Sequence, residues 1–148
     1  MPSNRSYSFL DTHAAIVGVG GAFSLTGSAA EEGITISPRG DKTTLMIGAD
    51  GSGMHSLHAD KSASIEVRLL KNSPVNALLS SMYNIQQTSS KLWGQNVITI
   101  VSSVGDAITL SGVAFKKQPS ISYAKEGGIN TWEMEAITLT EILSANVL

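Results

Sequence analysis

The sequence predicts an α+β fold that is mostly β: an antiparallel β-sandwich or partly closed barrel with one flanking α-helix. Three observations predict it. Short β-branched segments separated by glycine-rich turns recur along the 148 residues, one stretch alone carries helical spacing, and two apolar runs are joined by a turn short enough for a hairpin. About seven or eight strands and one helix result. A doubly wound parallel fold is excluded, because its crossovers demand several helices. No internal repeat stands out, and residues 1–148 read as one domain.

The first third reads as short strands: "SYSFL", "HAAIV", "AFSL", "ITIS" and "TTLMI", punctuated by Gly18 to Gly21, Gly27, Gly33 and the turn-like Pro38-Arg39-Gly40-Asp41. Gly48 to Ala59, "GADGSGMHSLHA", shows neither strand nor helix pattern and is read as a long loop with three glycines and two histidines. Loops of that length are uncommon in compact domains, since ordering them costs entropy that contacts elsewhere must offset. A partner subunit could supply those contacts. In "SASIEVRLL" the residues Ala63, Ile65, Val67 and Leu69 alternate with Ser64, Glu66 and Arg68, the period of a half-buried strand.

A helix is predicted from about Pro74 to about Ser89. Ser73 can cap it, Pro74 suits the first helical position, and Val75, Leu78, Leu79, Met82 and Ile85 or Gln86 form an apolar stripe for a sheet, with Tyr83 at its flank. Asn96 to Ser103 and Asp106 to Phe115, joined at Val104-Gly105-Asp106, read as an antiparallel hairpin. In the last segment Trp132, Met134 and Ala136 alternate with Thr131, Glu133 and Glu135, and then the apolar phase jumps to Ile137 and Leu139. A bulge near Ala136 and Ile137 accounts for the jump.

Composition removes several functions. There are no cysteines, so thiol catalysis, thiolate metal sites and disulfides are all absent, which suits a reducing cytosol. Ten Lys+Arg against twelve Asp+Glu leave a net charge of −2, and no basic field exists to hold phosphates. Lys116-Lys117 and Arg5 are scattered, and aromatics at 5% offer no stacking platform for bases. Arg5 and the charge-free stretch Ala14 to Ala30 imitate a secretory signal. Asp11 and His13 interrupt its start and four glycines dilute it, so neither a signal peptide nor a membrane helix is expected.

The search for chemistry is mostly negative. "AAIVGVGG" hints at a dinucleotide fingerprint, yet the third glycine position holds Phe23 and no helix start follows; a glycine-rich bend between strands is the better reading. His55 and His58 point apart in extended chain, and His13 is distant, so no metal is assigned. Asp50-Gly51-Ser52-Gly53 lacks the spaced carboxylates and closing Glu of a calcium loop. No Gly-x-Ser-x-Gly elbow is present. Glu133 and Glu135 share one strand face about 7 Å apart, and Glu31 and Glu32 adjoin in a loop; either pair could serve as acid and base or simply face solvent. No catalytic residue and no cofactor are assigned.

The wording of "IGADGSGMHSLHADKSASIEVRLLKNSPVNALLSSMYN", "SSKLWGQNVITI", "VAFKKQPSISYAKEGG" and "TWEMEAI" resembles the tail tube proteins of contractile-tailed bacteriophages over nearly the whole chain. The resemblance implies a structural virion protein. Such subunits form a β-sandwich or barrel with a flanking helix, join by strand pairing into hexameric rings, and stack into the inner tail tube through which DNA is ejected. It further implies tail sheath, baseplate or tube initiator and tail terminator as partners, assembly in the host cytoplasm, and no membrane. An inter-ring loop or hairpin is then expected at about 37–60, with Arg39, Asp41, Lys42, Met54, His55 and His58 as ring-to-ring contacts. Glu66, Glu133 and Glu135 become candidates for the channel wall. Two other readings compete. One is the tube of a phage-derived secretion or bacteriocin machine; the other is a monomeric β-barrel binding module or small hydrolase using Glu133 and Glu135 with a histidine.

Overall fold

A computed structural model describes residues 12–25, 29–102, 105–121, 123 and 127–143, with backbone alone over 29–32. The predicted "SYSFL" strand and the side chains of Glu31 and Glu32 lie outside the described residues. Ten strands and one helix follow in order: β1 Thr12–Gly18, β2 Gly21–Ser24, β3 Ala29–Pro38, β4 Thr43–Ile47, β5 Gly53–Leu57, β6 Ala63–Leu70, α1 Pro74–Gln86, β7 Asn96–Ser102, β8 Ala107–Lys117, β9 Ile129–Ala136 and β10 Thr138–Ile142. Every paired strand runs antiparallel, in the order β2-β1-β7-β8-β9-β6-β3, with β10 also on β8 and β4-β5 apart as a separate hairpin. Among the described residues the order never returns on itself, so the architecture is an open sandwich and no closed barrel.

The sandwich arises from a corner in β8. Residues 107–111 and Val113 pair with β7 or β10, whereas Ala114, Phe115 and Lys117 pair with β9. Just before the switch Gly112 takes φ +62, a left-handed conformation that a side chain resists. Across from it the Ile137 N–H is shared by the carbonyls of Ser111 and Gly112 at 3.1 and 3.3 Å. One sheet, β2-β1-β7-β8-β10, thus folds over the other, β8-β9-β6-β3. The expected bulge at Ala136 and Ile137 is instead a break between β9 and β10, and the positive-φ residue sits on the opposing strand. Ile137 is exposed rather than turned inward, while Leu139 packs on the core.

The alternation read from "SASIEVRLL" and "TWEMEA" holds: Ala63, Ile65, Val67, Leu69, Trp132, Met134 and Ala136 are all buried. They meet Ala14, Ile16, Ile98, Ile100 and Leu110 of the facing sheet in one core. The helix closes one side of it. Ser73 caps as predicted, its hydroxyl accepting from the Val75 N–H at 3.3 Å, and Val75, Leu79, Met82 and Gln86 are buried, whereas Leu78 and Ile85 stay exposed. The helix ends at Gln86, short of the predicted Ser89, where the Thr88 hydroxyl takes over the Ile85 carbonyl at 2.7 Å. Tyr83, Trp93, Phe115 and Trp132 form a chain of tilted and edge-to-face rings 5.7–6.4 Å apart along this side. Leu79 is fully buried, so Leu79→Ala should cost about 3 kcal/mol in denaturant unfolding. Leu79→Asp should yield no folded protein at all.

Buried polar groups are few. Gln86 and Asn96 exchange hydrogen bonds, Gln86 Nε2 to Asn96 Oδ1 at 2.6 Å and Asn96 Nδ2 to Gln86 Oε1 at 3.0 Å, and Gln86 Nε2 also donates to the Val19 carbonyl at 2.9 Å. The pair ties α1 to the β1–β2 turn and to β7.

Candidate assembly surfaces

Three surfaces stand out: a protruding hairpin, a charged sheet face with open edges, and an uncharged face on the other sheet.

The hairpin corrects the expected loop. Gly53–Leu57 is a strand paired with Thr43–Ile47, in register from Thr43 opposite Leu57 to Ile47 opposite Gly53. Its side chains lack a buried face, so no alternation betrays it. Leu45, Met46, Ile47, Met54 and Leu57 are 53–89% exposed. A lone two-stranded hairpin is marginal in water, and one that displays five large apolar side chains needs a partner. Asp50 orders the tip by accepting from the Ser52 N–H and hydroxyl at 3.0 and 2.7 Å, bonds that lower its pKa from the ordinary 3.8.

The hairpin root is braced within the chain. The Arg39 N–H donates to Ser62 O and the His58 N–H to Lys42 O, both at 3.0 Å, so the β3–β6 ladder runs on into β4–β5. Lys42 Nζ donates to the carbonyls of Asp60 (3.0 Å) and Arg39 (3.4 Å). His58 Nδ1 lies 3.0 Å from the Asp41 carbonyl, which can only accept, so Nδ1 donates there, and Nε2 shares a hydrogen bond of 2.7 Å with the Thr44 hydroxyl. Asp60 accepts from the Ser62 N–H and hydroxyl at 2.9 and 2.6 Å, and these bonds, with Lys42 and Arg39 nearby, lower its pKa. Of the six residues expected at ring contacts, Arg39, Asp41, Lys42 and His58 thus form this root, and Met54 and His55 lie on the exposed strand. Leu45, Met46 and Ile47 were visible as an apolar run, but the run reads equally as an ordinary half-buried strand.

Glu66, Glu133 and Glu135 come together on the free face of the second sheet. Glu66 is directly opposite Glu133, and Ser64 opposite Glu135. Like charges in that relation repel. Cations relieve them: Arg68 lies 3.3 Å from Glu66, while Arg39 and Lys116 lie 3.2 and 3.6 Å from Glu135. Their side chains are 30–54% exposed, so the pairs are screened and weak. The face is a mixed-charge wall rather than a row of bare carboxylates. Among the described residues its two borders, β3 on one side and residues 114–117 of β8 on the other, pair with no further strand.

The free face of the first sheet is nearly charge-free. One cross-strand row runs Ala15, Thr99, Thr109, Thr140, flanked by exposed Val17, Val97, Val101 and Ile142. His13, one of the histidines weighed as a metal ligand, sits at its border opposite Val101, far along the fold from the hairpin's His55 and His58. Among the described residues no three His, Asp or Glu side chains gather as a metal site, and no helix is long and apolar enough to cross a membrane.

Known proteins resemble this chain in sequence family and in fold. The family model described as bacteriophage PhiTE tail tube protein matches residues 5–144. Comparison with curated protein sequences gives no match. Among solved structures, the chain is similar to one in the sheath-tube complex of the PVC extracellular contractile injection system, with a TM-score of 0.60 at 11% identity, covering 94% of this chain and 93% of that one. A chain of the anti-feeding prophage tube-terminating cap gives a TM-score of 0.57 at 11% identity over 97% and 95%. A chain of the anti-feeding prophage baseplate gives 0.51 at 13% over 95% and 97%. The structural likeness extends the fold to tube, cap and baseplate chains of contractile machines, and the family match over residues 5–144 settles kinship: this chain belongs to the bacteriophage PhiTE tail tube protein family.

Proposed function

We propose that this tail tube protein polymerises as hexameric rings stacked into the inner tube of a contractile tail, the conduit for DNA ejection. The observation that carries the reading is the second sheet, whose β3 and β8 borders both lack a neighbour among the described residues. Open borders of this kind invite aggregation unless copies complete them, and a ring of copies completes every one. In such a ring the free face with Glu66, Glu133 and Glu135 turns to the channel. Its paired charges neither attract phosphates in bulk nor bind bases, so DNA passes without holding. The threonine- and valine-rich face then turns outward, toward a sheath. Baseplate or initiator and terminator proteins meet the two ends of the polymer, and the hairpin, with Met54 and His55 on it and Arg39, Asp41, Lys42 and His58 at its root, makes the contact between rings. The role is geometric and uses no catalytic residue.

Purified chain, concentrated and viewed by negative stain with sedimentation, tests the reading. Hollow rings or tubes are expected, and a monodisperse monomer even with an initiator complex present would contradict it. The structural likeness to injection-system chains favours one variant, a tube delivering protein cargo. Particles carrying the gene and packaging a genome distinguish the phage tail from it.

A further inference from the structure

We propose that the hairpin tip of one copy docks in the cleft at the far end of the second sheet of the next copy, with Asp50 facing Lys71. The inference rests on the stacked-tube reading and adds the acceptor site.

Because the β3–β6 ladder continues through Arg39–Ser62 and Lys42–His58 into β4–β5, the hairpin prolongs the sheet beyond its Ala63 end. A copy added along that direction presents its other end, where β6 finishes at Leu70. Each strand of the hairpin spans five residues, roughly 17 Å, enough to overlap a neighbour and not merely touch it.

That far end is built to receive an apolar ribbon. A cleft of about 520 Å³ is lined by Leu70, Lys71, Asn72, Gly127 and Gly128. Leu70 and its cross-strand partner Ile129 are 45% and 56% exposed. Nothing lies within 4 Å of where a side chain would start at Gly127 or Gly128, so backbone can approach closely there. Leu45 and Ile47, which share one face of the hairpin, supply the matching apolar surface.

Charge sets the register. Asp50 is the acidic group of the tip, held ionised by Ser52. Lys71 is the cation of the cleft, its Nζ poised 4.3 Å from the centre of the Tyr123 ring. An exposed pair adds little affinity but suppresses wrong alignments. Each copy then carries one donor and one acceptor at opposite ends, a head-to-tail contact that propagates without closing.

The chain has no natural cysteine, so cross-linking is clean. The variant carrying both Ala49→Cys and Gly128→Cys, assembled and then oxidised, should run on a non-reducing gel as a ladder of covalent multiples. Each single variant should stop at dimer or below. Tubes visible by microscopy without a ladder would overturn the docking site and leave the tube reading standing; failure of the unaltered chain to form any polymer would overturn both. In parallel, Asp50→Lys and Lys71→Asp should each lose sedimenting polymer while melting as the unaltered chain does, and the combined exchange should regain it. Single variants that assemble normally, or a folded double variant that stays monomeric, would refute the Asp50–Lys71 pairing.

Discussion

Replacing residues 45–55 with Asn-Gly should leave a chain that folds and melts as before yet no longer polymerises. Thr44 and Ser56 are cross-strand partners, so a two-residue turn between them closes a shorter hairpin in the same register. The root contacts of His58, Lys42 and Asp60 survive the change. No removed side chain belongs to the core, so the unfolding temperature should shift by no more than about 2 °C, equivalent to under 1 kcal/mol. The sedimenting polymer, in contrast, should vanish, because the removed surface includes Leu45, Met46, Ile47 and Met54. Scanning calorimetry beside sedimentation separates the two effects. Tubes of normal length from this variant would show that ring stacking uses another surface, and a large loss of thermal stability would show that the hairpin packs on its own copy.

Gly18→Ala should be highly damaging for a change of a single methyl group. A Cβ at Gly18 would overlap the Asn96 amide, with Asn96 Cγ at 2.8 Å and Gln86 Nε2 at 3.3 Å. Both partners are fully buried and locked to each other, so neither can withdraw without stranding a polar group. Overpacking costs about 1–3 kcal/mol and an unsatisfied buried amide about as much again, so a loss of roughly 3–5 kcal/mol is expected. At about 3 °C per kcal/mol the melting point should fall by about 10 °C or more. Asn96→Ala in the Gly18→Ala background should recover part of the loss by removing the clash. A Gly18→Ala chain as stable as the original would mean that the Gln86–Asn96 pair has another arrangement available.

What could be read from the residues alone follows from burial. Strand β6, the β7–β8 hairpin and α1 each bury one face, and burial of one face imposes the period of two or of three to four that makes an element visible. Strand β5 buries neither face. Its residues Gly53 to Leu57 carry no period, and they were legible only as a loop in need of partners. The glycines at 18 to 21 read as a bend between strands, and they form the β1–β2 turn, but the need for glycine at position 18 comes from Asn96 and Gln86, distant in sequence, which press against it. Ionic relations on the charged face were equally hidden. Glu133 and Glu135 announce themselves as neighbours on one strand, but the opposition of Glu66 to Glu133 and the arrival of Arg39 beside Glu135 depend on registers between segments up to 96 residues apart. Resemblance supplied the expectation of a tube; the residues themselves supplied a loop in need of partners, which the structure turns into an exposed hairpin beside borders unpaired among the described residues.

The most direct test is a cryo-EM map of polymer grown from the purified chain, at a resolution that traces strands. The account predicts a hollow tube in which β3 of one copy is hydrogen-bonded to the 114–117 segment of β8 in its ring neighbour, with Glu66 and Glu133 on the inner wall. A polymer in which those two borders remain apart, or in which the Thr99–Thr109–Thr140 row faces the channel, would contradict it.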